Sequence, residues 1–203
     1  MIFNVELTHF TSREAEEICR VSMTQQRNWR RYGFLPPIQG HARLDVFDLC
    51  ELYALGLLAD KGVSPKQAVE VVDILALGLA WHALTCRVAY AGEPHLLANA
   101  PLSEFEKGLS DPILSRLDRF GRAAFRSKLD IPGKGRALPA RFFIWFADGT
   151  HTWDQSVDRH FRGSEGDPRT AGPVIVLDQM ALGIDLAHRS GKALALVTED
   201  DNA

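Results

Sequence analysis

The sequence predicts a mainly α N-terminal domain followed by a small α+β C-terminal domain. Three observations carry this expectation. Helix-capping residues recur at short intervals between Thr11 and Ser64, each ahead of a run with helical apolar spacing. The stretch over residues 89–101, "AYAGEPHLLANAP", breaks that pattern. Beyond it stand two short, strongly apolar runs, "FFIWF" and "PVIVLD", each the length of a strand and too apolar to be half exposed. The expected boundaries are an N-terminal domain over residues 1–88, a connection over 89–110 and the α+β domain over 111–203.

The elements follow in order. "FTSREAEEICRVS" opens with Thr11 and Glu14 three residues apart, the capping-box pattern in which each side chain satisfies the other's backbone N–H. Ala15 and Ile18 add a short apolar stripe, giving a first helix. Val21-Ser22 interrupts it. Ser22 is suited to cap a second helix through "MTQQRNWRRY", and Gly33 to take the left-handed position just past its end. "FLPPIQGHARL" is rich in Pro and Gly and leaves room only for short extended pieces. Asp45 then caps "VFDLCELYALGLLADKG", whose Phe47, Leu49, Leu52, Tyr53, Leu57 and Leu58 form a buried face before Gly62 closes it. Ser64 and Pro65 begin a helix through "SPKQAVEVVDILALGLAWHAL", apolar at Val69, Val72, Leu75 and Leu79. Past the connection a helix restarts at Asp111-Pro112 through "ILSRLDRFGRAAFRSKL". "ARFFIWFADGTHTW" reads as a strand, a turn at Asp148-Gly149 and a second strand; "RGSEGDPRTAG" is a polar loop. "PVIVLD" is a strand, Asp178 caps "QMALGIDLAHRS", Gly191 ends that helix, and "ALALV" is the last strand.

Composition narrows the function. The chain has 203 residues, 46% hydrophobic and 24% charged, enough apolar mass for a real core. Its formal charge of -3 offers no global attraction to a polyanion, so nucleic-acid binding would rest on local patches. Two exist: six Arg against three Glu over residues 10–43, and nine Lys or Arg against three Asp over residues 107–141. Cys19, Cys50 and Cys86 form no Cys-x-x-Cys pair and have no His at ligand spacing, so no zinc site is expected, and Cys19 and Cys50 read as small buried hydrophobes. The first residues lack a basic start and long apolar run, and no 18-residue apolar run occurs, so a cytoplasmic setting without membrane contact is expected. No Gly-x-Ser-x-Gly, phosphate loop or dinucleotide fingerprint occurs, and "GKGRALPAR" reads as a basic linker. Neither an enzyme nor a cofactor is expected. His151, Asp154, Asp158 and His160 would share a face only on a helix; the hairpin reading scatters them, so no metal or acid–base site is expected there.

Phe10-Thr11, Glu14, Val21-Ser22, Arg27, Trp29, "GFLPP" from Gly33 to Pro37, Arg43-Leu44, Asp48-Leu49 and "DKGVSPKQAVEVV" together resemble one family. Their order and spacing over residues 8–80 are similar to the DNA-binding domain of the mercury-resistance-type (MerR) transcription regulators, a winged helix-turn-helix. The chain departs from the family at Arg20, where the turn has Gly, at Gln26, usually apolar, at Asn28, the first of an aromatic pair, and at Leu44, the wing Tyr. The resemblance implies a mainly α N-terminal winged helix-turn-helix domain, sequence-specific binding to double-stranded DNA, and a homodimer acting as a bacterial or phage-type transcription regulator. The helix over about 23–32 would enter the major groove, with the wing, 38–44, on the flanking backbone. Transcription machinery or a small-molecule effector are the further partners it implies. The family's long coiled coil has no counterpart, since no heptad run follows Leu84, so dimerisation falls to the helix from Ser64 or, preferably, to the C-terminal unit.

The residue types suit that task. Arginine pairs bidentately with guanine, and Asn and Gln with adenine, so Gln25, Arg27, Asn28 and Arg31 form the expected reading and gripping face. Ser22 and Thr24 join them at the start of the helix, and Arg30 shares a face with Gln26. His41 and Arg43 in the wing, and Arg13 in the first helix, are expected on phosphates or the minor groove, while Trp29 packs inward. The basic run over residues 107–141 is either an auxiliary contact to flanking DNA or the solvated face of an amphipathic helix. The same domain would also serve an architectural or excision-type protein that bends DNA. A protein-interaction module that has lost DNA binding is the reading from another class, favoured by Arg20, Gln26 and the overall acidic charge.

Overall fold

Thr11 Oγ1 accepts the Glu14 N–H at 3.2 Å while Glu14 Oε2 accepts the Thr11 N–H at 2.7 Å, and α1 (Ser12–Cys19) begins there. The computed structural model describes residues 3–38, 43–92, 139–161 and 166–199. After α1, Arg20 turns the chain at φ 59, the one non-glycine residue with positive φ among the described residues. Ser22 Oγ accepts the Gln25 N–H at 3.2 Å to start α2 (Met23–Arg31), and Gly33, at φ 77, lets the chain leave it. Asp45 Oδ1 accepts from Phe47 N at 2.8 Å and Asp48 N at 3.1 Å, capping α3 (Val46–Asp60).

The helix expected from Ser64 to Leu84 is two helices, α4 (Pro65–Ala68) and α5 (Val72–Leu84), separated by a turn at residues 69–71. Val69, Val71 and Val72 are β-branched and crowd a helical turn; Val71 leaves it at φ -124 and starts α5 afresh. Almost every side of α5 is apolar, and Val72, Leu75, Ala76, Leu79, Ala80, Trp81, Ala83 and Leu84 are buried. A helix apolar all round belongs at the centre of a core. It packs between α3 and α7 (Gln179–Arg189). Gly183 permits the close approach of α7, since a Cβ there would lie 2.6 Å from Leu79 O.

Two three-stranded sheets complete the described residues. One runs in the order β1 (Phe3–Leu7), β6 (Ala195–Glu199), β2 (Tyr90–Gly92). β1 is antiparallel to β6 with Val5 opposite Val197, and β2 is parallel to it with Tyr90 opposite Ala195. The other is antiparallel throughout, β4 (His151–Asp154), β3 (Phe142–Trp145), β5 (Ile175–Asp178). Its first hairpin turns where expected: Gly149 sits at φ 85 and Asp148 Oδ1 accepts from Thr150 N at 2.9 Å. A short helix, α6 (Asp158–Phe161), follows β4, and Asp178 ends β5 by accepting the Ala181 N–H at 3.1 Å to cap α7.

The architecture is therefore mixed α/β, with seven α-helices and two small sheets among the described residues. β1 and β2 were not expected; each depends on β6, from the far end of the chain. One contiguous core joins Phe10, Leu44, Leu52, Leu75 and Leu79 to Phe143, Leu186 and Val197, so elements from both sides of the expected connection share it. The connection beyond Gly92 and the helix expected from Asp111 lie outside the described residues. No described helix is long and apolar enough to cross a membrane.

Candidate nucleic-acid interface

Helical geometry sorts α2 into two faces. Gln26 and Trp29 turn inward and are 1% and 6% exposed. Trp29 joins the core, as its spacing predicts. Gln26 Nε2 donates to Val21 O at 2.9 Å and to Ser12 O at 3.1 Å, tying α2 at once to the inter-helix turn and to the first residue of α1. A buried amide held this way fixes the angle between the two helices, because tilting α2 would break both hydrogen bonds.

The other face is open. Ser22, Thr24, Gln25, Arg27 and Arg31 are exposed and Asn28 is half-buried. Thr24, Arg27 and Arg31 follow one another at i, i+3 and i+7, so they line one side of the helix with Asn28 alongside. Arg31 Nη2 donates to Tyr32 Oη at 2.7 Å, and its guanidinium lies 4.8 Å from the centre of that ring. Ser22 Oγ is an acceptor for the Gln25 N–H and keeps its own proton to donate.

Arg30 shares a face with Gln26, as their spacing implies. It lies with Gln26 on the inner side, half-buried, with Nη1 only 3.4 Å from Gln26 O and a buried Nε that has no hydrogen-bond partner. Burial pushes its guanidinium below the usual range, and Asp48 and Glu51 of α3 oppose that shift. Arg30 thus sits on the Gln26 side of α2, within electrostatic reach of α3.

Two more expected contacts lie on other segments. Arg13 is exposed, its Nε 3.5 Å from Glu17 Oε1, a surface ion pair of small energetic weight. Arg43 is exposed beside fully buried Leu44, which exchanges both backbone hydrogen bonds with Phe10, at 2.7 and 2.8 Å. The returning end of the expected wing is therefore pinned to the start of the α1 segment. His41 and residues 39–42 lie outside the described residues.

The scaffold behind α1 comes from the C-terminal end. Lys192 Nζ donates to Glu14 Oε1 at 2.7 Å and to His9 O at 3.1 Å, and lies 4.5 Å from the centre of the Phe10 ring. The Lys192 hydrogen bond, with those from Thr11, holds the Glu14 carboxyl at about 2. On α3, Tyr53 Oη donates to Asp185 Oδ2 at 3.4 Å, which also accepts from Arg189 Nη1 at 3.2 Å. Sequence reasoning missed Gln26 as a tether and Lys192 as a clamp; nothing local marks either, because their partners are set by the fold.

The second set of titratable groups does not assemble as one site. Asp154 accepts from His160 Nε2 at 2.6 Å, from Ser156 N at 3.1 Å and from Arg159 Nε. Burial pushes its carboxyl up, and these donors outweigh burial and hold it at about 2. His151 instead stacks on Trp145 with ring centres 5.7 Å apart. Among the described residues no group of three or more His, Cys, Asp or Glu is placed to hold a metal. Cys19 and Cys50 are buried, and burial drives the Cys19 thiol up to about 12. No family model, curated protein or solved structure matches the chain.

Proposed function

We propose that the chain is a sequence-specific double-stranded DNA-binding protein that acts as a dimeric transcription regulator. On this reading α2 enters the major groove and residues 38–44 lie on the flanking backbone as a wing. The observation that carries it is the division of α2: Thr24, Gln25, Arg27, Asn28 and Arg31 face outward while Gln26 and Trp29 lock the helix from behind. A helix fits the major groove, and these outward types match its donor and acceptor pattern, Arg to guanine and Asn or Gln to adenine. Exposed Arg13, Arg27, Arg31 and Arg43 supply a local cationic surface on a chain whose net charge is -3. A single helix covers few base pairs, so two copies related by two-fold symmetry on a palindromic site are the economical arrangement.

Fluorescence anisotropy against a genomic fragment library tests this. Binding is expected to weaken steeply with salt and to be lost when Arg27→Ala and Arg43→Ala are combined. Binding to no duplex, or binding untouched by the double substitution, would contradict it.

A further inference from the structure

Arg20 closes α1 at φ 59, ψ 27, a left-handed conformation that crowds any side chain and that glycine adopts freely. It is exposed, and among the described residues its guanidinium makes no hydrogen bond or ion pair. The strain is therefore not offset by any contact of that side chain within the described fold. Val21 beside it is buried at 3% exposure and Ser22 is exposed, so the turn is anchored at its middle residue and presents Arg20 and Ser22 outward, directly before α2. Gln26 Nε2, bonded to Val21 O at 2.9 Å, fixes this turn against α2.

Strained backbone positions persist where the side chain is used. We propose that Arg20 is a further DNA-contact residue, gripping a backbone phosphate at the α1–α2 turn next to the groove that α2 enters. The proposal rests on the DNA-binding reading of α2. A guanidinium suits the role: it is always charged and presents a planar fork of donors that matches two phosphate oxygens. Contact to a phosphate carries no sequence information, so Arg20 sets grip and register while the α2 face reads.

Three substitutions separate charge from strain, because Arg20→Gly removes both, Arg20→Ala removes only the charge and Arg20→Lys removes neither. In anisotropy titrations Gly and Ala are expected to weaken binding to every duplex by about tenfold. The slope of log affinity against log salt should become shallower by about 0.9, with the preferred sequence unchanged. Lys, which keeps the charge but not the fork, should retain the salt slope and only part of the affinity, and the Gly variant should melt no lower than the parent chain, which excludes misfolding as the cause. If Gly and Ala bind like the parent while Arg27→Ala loses binding, the assignment of Arg20 is overturned and the reading of α2 stands. A changed preferred sequence would overturn the phosphate assignment, and a parent chain that binds no duplex would overturn both.

Discussion

Gln26 looks in sequence like one more polar residue of "QQRNWRRY", yet it is the one that turns inward and carries the α1–α2 geometry. Its neighbours were legible: Trp29 is buried and Arg27 and Arg31 are exposed, as their types and spacing imply. Gln26 was not, because its partners are the Ser12 and Val21 carbonyls, which no local pattern brings beside it. Gln26→Leu removes both hydrogen bonds that tie α2 to Ser12 O and Val21 O, so a loss of about 1–3 kcal/mol is expected in urea denaturation, with the m-value unchanged. Arg20→Gly should act the other way. A left-handed side chain costs about 1–2 kcal/mol and glycine's extra chain entropy about 0.5–1, leaving a gain of up to about 1.5 kcal/mol. Glu14 supplies a pH signature. Its carboxyl falls from the ordinary 4.5 to about 2 in the fold, chiefly through Lys192, so its contribution is complete above 4.5 and is lost as pH falls through about 2. Glutamine still completes the capping box, so thermal melts should show Glu14→Gln slightly below the parent at neutral pH, the gap closing between about 4.5 and about 2.

At the scale of elements, the caps were readable because they are local chemistry: Thr11, Ser22, Asp45 and Asp178 each accept a backbone N–H at the helix start predicted for them. The break at residues 69–71 was not, since the apolar period runs through it. β1 and β2 escaped for a different reason: five and three residues long, they are strands by virtue of β6, whose partners no nearby residue reveals. The α5–α7 crossing leaves no room for a side chain at Gly183. A Cβ at Gly183 would stand 2.6 Å from Leu79 O and 2.8 Å from Ala83 N, atoms of backbone that cannot step aside alone. Gly183→Ala should therefore force the helices apart and lower stability by about 1–3 kcal/mol, visible as a drop in melting temperature.

Over the whole molecule, the two ends of the chain are joined by β1-β6-β2 and by α7 on α5, and Lys192 reaches α1 from the last turn before β6. The elements that support α2 thus come partly from beyond residue 178, although the sequence pattern alone makes residues 1–88 look self-sufficient. A fragment of residues 1–92 lacks the partner of both β1 and β2 and uncovers the α7 side of α5; it should give neither a cooperative melt nor a dispersed NMR spectrum. A folded fragment would show that α1 to α5 suffice. The central claim concerns DNA, and selection of bound sequences from a random duplex pool tests it most directly, because one experiment reads affinity, symmetry and half-site spacing. The account predicts a two-fold-symmetric consensus whose enrichment disappears when Arg27→Ala and Arg43→Ala are combined; a pool that stays random, or enrichment indifferent to both substitutions, would contradict it.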